Sequence, residues 1–168
     1  VAAKGTSWGG FVNSGQVCTS IERVYVYNSV ADKFTEALVE EAKKVKLGDP
    51  MDENTDVGPM ASKAQLKNTI EKVALAKKEG ARLLTGGERP LEPARGYFFT
   101  PTIFDRVKPD MEIVTEESFS PVIPIQKIDS LDEAVRMANS TKYGLGCTIF
   151  TKDSSIYDHI LAFICSSC

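Results

Sequence analysis

Phe11-Val12-Asn13-Ser14-Gly15-Gln16-Val17-Cys18-Thr19-Ser20-Ile21-Glu22-Arg23-Val24-Tyr25-Val26 places one cysteine in a small, polar, glycine-containing turn and then runs straight into β-branched and aromatic residues. Ile21, Val24 and Val26, with Tyr25 and Tyr27, predict a strand. A turn that feeds a strand lies at the end of a sheet, so Cys18 is expected at its mouth, within reach of a ligand. Gly15 permits a backbone that an L-residue resists, and Asn13, Ser14 and Gln16 offer polar groups around the thiol. Free cysteines are more often buried and structural. Thiolate chemistry calls for a nearby positive charge, a helix N-terminus or an adjacent base. None is legible beside Cys18, because Arg23 falls in the strand. The residues alone leave both readings open.

Downstream, Ser29 is placed to cap a helix whose apolar face is Phe34, Leu38, Ala42 and Val45, with Gly48-Asp49-Pro50 stopping it. Met51 to Met60 is acidic and turn-rich. Ser62 and Gln65 form an S-x-x-Q capping box before a second helix, with Leu66, Ile70, Val73 and Ala74 as its stripe and Gly80 past its end. A short strand at Ala81–Thr85 is closed by Gly86-Gly87, and Glu88 to Gly96 reads as loop. Tyr97–Phe104 is extended, with Pro101 assigning it to an edge or bulge. Val122–Ile128 is a strand bent by Pro124; Ser130 and Glu133 then open a helix with Ala134, Val135 and Ala138 inward. A strand over 145–150 and a helix capped by Asp153 and running through Ile160 complete the pattern. Residues 1–10 fit either a helix or a loop. Strands alternating with helices predict a three-layer α/β domain with a mostly parallel sheet and helices on both faces.

At 168 residues the chain is long enough for one domain with a sizeable core. A net charge of -3 argues against nucleic acid or an anionic membrane as partner. No apolar run approaches the ~20 residues that span a bilayer. No signal peptide is visible, and four cysteines do not suggest a disulfide scaffold, so a reducing cytoplasm is expected. The chain starts at Val1 and ends on Phe163-Ile164-Cys165-Ser166-Ser167-Cys168, which reads as a piece of something longer.

Asn13-Ser14-Gly15-Gln16-Val17-Cys18, followed by Glu22-Arg23-Val24-Tyr25-Val26, resembles the catalytic-cysteine segment of the aldehyde dehydrogenase superfamily. Gly48-Asp49-Pro50, Val57-Gly58-Pro59, Glu79-Gly80-Ala81, Thr85-Gly86-Gly87, Gly96-Tyr97-Phe98 and Thr100-Pro101-Thr102 resemble that family in the same order. So do Glu116-Glu117-Ser118-Phe119-Ser120-Pro121-Val122, Ala138-Asn139 and Tyr143-Gly144-Leu145. The resemblance covers about residues 8–153 of a single domain spanning 1–168, and the tail 156–168 is atypical.

The resemblance implies NAD- or NADP-dependent oxidation of an aldehyde to an acid through a thiohemiacetal and a thioester. It makes Cys18 the nucleophile and the Cys18 N–H one oxyanion donor. Glu117 matches the carboxylate that binds the nicotinamide ribose, and Phe119 the aromatic near the nicotinamide ring. Ser120 stands where the family usually has glycine. The family's general-base glutamate, its cofactor-phosphate region, its oxyanion asparagine and its C-terminal assembly strand have no counterpart here. The resemblance therefore implies a catalytic-domain portion, inactive by itself, of a longer homo-oligomeric protein acting on a small aldehyde. The wording is similar to lactaldehyde and betaine-aldehyde types.

Two other classes fit parts of the sequence. A cysteine hydrolase would pair Cys18 with His159, the one histidine, but the Cys-Gly-Ser-Cys-Trp pattern of papain-like enzymes is missing. A non-catalytic binding or assembly domain fits a chain without the cofactor-phosphate half. A metal on Cys165, Cys168 and His159 has too few ligands for a structural zinc site, so no metal is expected.

Overall fold

Val24–Tyr27 forms strand β1 in the computed structural model, which describes residues 1–164. Ahead of it, Ala2–Phe11 is helix α1, which settles the ambiguity of the first ten residues, and residues 12–15 form a tight turn. After β1 come α2 (Asn28–Lys44), α3 (Lys63–Glu79), β2 (Arg82–Thr85), β3 (Thr102–Asp105) and the short α4 (Glu112–Thr115). β4 (Val122–Ile128), α5 (Leu131–Ala138) and α6 (Ser154–Phe163) follow.

The sheet order is β1-β4-β3-β2; β4 runs parallel to both β1 and β3, and β2 is an antiparallel edge. β3 pairs with residues 122–124 of β4, and β1 takes over from Ile125 onward. Pro124 sits at that changeover, where its missing N–H costs the ladder least. Pro101 does not mark an edge: β3 begins one residue later and lies inside the sheet, so the proline ring sits outside the ladder.

Side chains alternate across β3 and β4 and feed two separate cores. Ile103, Ile123 and Ile125 pack with Phe11, Ala31, Leu38 and Ala42 of α1 and α2. Phe104 and Val122 pack on the other side with Leu66, Val73 and Ala76 of α3 and Ile113 and Val114 of α4. Phe11, Phe104, Ile103 and Ile123 are almost wholly excluded from water. One apolar cluster on each face gives the expected three layers.

The local expectations fare unevenly. Ser62 caps α3 by accepting from the Gln65 N–H, and Gly80 ends it in the left-handed region at φ 102°. The buried stripe of α3 is Leu66, Thr69, Val73 and Ala76; Ile70 and Ala74 are exposed, because the helix is rotated to bring Thr69 against Met60. Ser29 caps nothing, since α2 starts directly from β1 at Asn28, which bonds to Asp129 beyond β4. On α5, Val135 and Met137 are buried, while Ala134 and Ala138 are only half-buried. Residues 145–150 form no strand; no strand lies beside them among the described residues, and Leu145 and Phe150 are exposed. Asp153 caps α6 by accepting from the Ser155 N–H.

Candidate active site

The turn between α1 and β1 is built from three successive left-handed residues, Asn13 (φ 52°), Ser14 (φ 58°) and Gly15 (φ 70°). Such a run is strained for the two non-glycine residues, and side-chain bonds hold it. The Asn13 amide donates to the Gln16 carbonyl and the Gln16 amide to the Asn13 carbonyl, both at 3.0 Å. Gln16 also accepts from the Ala61 N–H at 2.9 Å, and the buried Ser14 hydroxyl donates to the Gly58 carbonyl at 2.7 Å. On the far side, the Ile21 N–H and the Ser20 hydroxyl both reach the Gly9 carbonyl. Asn13, Ser14 and Gln16 thus build the turn; none of their hydrogen bonds goes to the thiol. Cys18 and Thr19 stand exposed at its apex.

The segment 116–121 lies directly against this turn. The Glu22 carboxylate, at the approach to β1, accepts from the Ser118 N–H (2.9 Å), the Phe119 N–H (2.7 Å) and the Ser118 hydroxyl (3.3 Å). From α3, the Gln65 side-chain amide donates to the Ser118 and Phe119 carbonyls at 3.0 and 2.8 Å. The capping-box reading of Gln65 is therefore half right: its backbone N–H completes the cap, but its side chain serves a distant loop. Phe119 itself sits at φ 49°, a conformation an aromatic residue seldom adopts. Ser120 is buried and donates its hydroxyl to that of Ser118.

Electrostatics separate the neighbouring acids. Lys142 and the Tyr143 hydroxyl donate to Glu116, and these bonds hold its carboxyl below the usual range, the lysine contributing most. Glu117 is exposed and makes no hydrogen bond or ion pair among the described residues. Glu22 is pushed up: burial outweighs the two backbone bonds from Ser118 and Phe119, and the Glu117 charge adds to the rise.

Of the expected site residues, the structure brings the Cys18 turn and the Glu117–Phe119 loop together through Glu22. His159 is elsewhere engaged, with its ring nitrogen on Asp132 at 3.0 Å and its ring against Phe163, so no contact joins it to Cys18. Cys165 and Cys168, weighed with it as metal ligands, lie outside the described residues. The sequence reading missed Glu22 and Gln65 as site builders. An acid beside a β-branched strand was the one visible signal.

The model for "Aldehyde dehydrogenase family" matches residues 1–164. The chloroplastic betaine aldehyde dehydrogenase of Amaranthus hypochondriacus is 40% identical over 152 residues, which is 90% of this chain and 30% of that protein. The 3,6-anhydro-alpha-L-galactose dehydrogenase of Vibrio sp. (strain EJY3) is 43% identical over 145 residues, covering 85% and 30%. Among solved structures, an NAD-dependent aldehyde dehydrogenase from Sinorhizobium meliloti superposes with a TM-score of 0.94 at 36% identity, covering 98% of this chain and 32% of the other. A Staphylococcus aureus betaine aldehyde dehydrogenase in complex with NAD+ does so with a TM-score of 0.94 at 35% identity, covering 97% and 33%. The chain spans about a third of the length of these relatives. With sequence and fold in agreement along nearly its whole length, the chain belongs to the aldehyde dehydrogenase family.

Proposed function

We propose that this chain is the catalytic-domain portion of a longer NAD(P)-dependent aldehyde dehydrogenase, with Cys18 as nucleophile and Glu117 and Phe119 as part of the cofactor grip. The observation that carries the reading is the tie between the exposed Cys18 turn and the loop bearing Glu117 and Phe119. Covalent capture of the aldehyde divides a hard oxidation into easier steps. The Cys18 thiolate adds to the aldehyde carbon, a C–S bond forms, and the carbonyl π pair moves to oxygen. The Cys18 N–H is engaged in no hydrogen bond among the described residues and is free to receive that oxyanion.

Glu117 fits a ribose: its carboxylate is exposed and unpaired, and its two oxygens suit two hydroxyl donors. Glu116 is unsuited, being held by Lys142 and Tyr143. Phe119 is half-buried on the same loop and supplies an apolar wall. NAD or NADP held by these residues would supply the acceptor for the hydride that the thiohemiacetal carbon gives up on becoming a thioester. Water then attacks the thioester carbon, the C–S bond breaks, and the acid leaves with Cys18 restored.

The substrate is a small aldehyde, and a reduced thiol at Cys18 suits a reducing compartment such as the cytoplasm. No helix among the described residues is long and apolar enough to cross a membrane. The longer protein is a homo-oligomer in this reading.

Calorimetric titration of NAD+ and NADP+, run on this chain and on the native-length gene product, tests the reading. The native-length protein should bind one of the two and oxidise a small aldehyde, and Cys18→Ser should abolish oxidation while sparing the binding. Cofactor binding by neither protein would favour the second reading, a non-catalytic binding or assembly domain.

A further inference from the structure

Glu22 has no place in the chemistry described above, yet it makes a long-range polar connection at the site. Its two oxygens accept from the amides of Ser118 and Phe119, 96 and 97 positions further along the chain. The Ser118 hydroxyl reaches the same carboxylate, and the buried Ser120 hydroxyl donates to Ser118 behind it. Gln65 takes the carbonyls of the same two residues from the opposite side. The peptide of residues 118–119 is thus gripped at both its donors and its acceptors. Between those grips Phe119 is held at φ 49°.

The geometry points to Glu22 as a positioning residue: we propose that its carboxylate holds the 118–119 peptide against the Cys18 turn and thereby fixes Glu117 and Phe119 relative to the thiol. The consequence for cofactor binding rests on the roles proposed above for Cys18, Glu117 and Phe119. The clamp does not. Three residues separate Glu22 from Cys18, and a bond from Ile21 to Gly9 ties the intervening chain down. A displacement of the loop is therefore felt at the thiol. A neutral side chain without acceptor oxygens leaves two buried-side amides unpaired, and hydrogen bonds to a charged acceptor are the stronger kind. Unclamped, Phe119 has nothing on its N–H to oppose relaxation out of the left-handed region.

Amide hydrogen exchange of the wild-type protein, Glu22→Ala and Glu22→Gln decides the clamp. In Glu22→Ala the Ser118 and Phe119 amides should exchange about tenfold faster or more, with the Ile103 and Ile125 amides of the sheet unchanged. Glu22→Gln keeps one acceptor oxygen and should recover protection at one of the two amides only. Unchanged protection at both amides in Glu22→Ala overturns the proposal, as does an equal rise throughout the sheet, which marks general loosening. In the native-length enzyme, Glu22→Gln should raise KM for NAD(P)+ by about tenfold with KM for the aldehyde little changed. Equal effects on both constants, or none, overturn the positioning role. If that wild-type enzyme oxidises no aldehyde, the functional reading fails, while the exchange result alone still decides the clamp.

Discussion

The Ser120 carbonyl oxygen occupies the space that a Cβ on Gly15 would need, lying 2.1 Å from that position. The obstacle is backbone, so it cannot swing aside as a side chain would. Gly15 is also left-handed, at φ 70°. Both the conformation and the close approach require glycine at this point. Gly15→Ala should therefore destabilise the protein by about 2–4 kcal/mol, combining backbone strain with overpacking. A urea unfolding series measures the loss. A midpoint equal to that of the wild type would mean the turn and the 118–121 loop are not in contact.

Glu22 gives the protein a pH dependence of definite sign. Its carboxyl is raised above the ordinary 4.5, chiefly by burial. The folded state therefore binds the proton more tightly than the unfolded chain. The contribution of Glu22 to stability is fully present below about the unfolded value and is lost as pH rises through the folded one. Melting temperatures of the wild type relative to Glu22→Gln should accordingly fall as pH is raised through that window. An opposite slope would contradict the burial. A half-buried carboxylate whose desolvation outweighs its hydrogen bonds is poorly explained as a stabiliser, which agrees with a positioning role.

Gln126 makes a prediction of the opposite kind. It lies on β4, is 3% exposed, and neither polar atom of its side-chain amide has a hydrogen-bond partner among the described residues. Unmet buried polar groups each cost about 1–3 kcal/mol. Gln126→Leu should stabilise the fold by about 1–2 kcal/mol, read as a higher urea midpoint. A lower midpoint would mean that the amide is satisfied in solution.

The elements that could be read in advance are those whose signals are local. The cysteine turn running into β1, the Ser62 cap and the Gly80 terminator each need only a few neighbouring residues to specify them. The exposed position of Cys18 on the turn ahead of β1 was legible, but the way that turn and the 116–121 loop are held together was not. Gln65 shows why: S-x-x-Q names a local cap, while the carbonyls its side chain actually meets come from 53 and 54 residues downstream. Ile70 was misplaced because a polar residue, Thr69, is buried in its stead, with its hydroxyl on Met60 and Gln65. The expected strand at 145–150 fails for a different reason. The β-branched and aromatic residues Thr148, Ile149 and Phe150 say nothing about whether a neighbouring strand lies within reach.

The central claim, that Cys18 is the nucleophile, is met most directly by peptide mass spectrometry. The native-length gene product would be mixed with NAD+ and a small aldehyde, quenched in acid within the first turnover and digested. The expected result is the substrate's acyl mass as a thioester on the peptide carrying Cys18 and on no other cysteine peptide, Cys147 included. An active enzyme whose Cys18 peptide stays unmodified, or a Cys18→Ser variant that retains full oxidation, would contradict it.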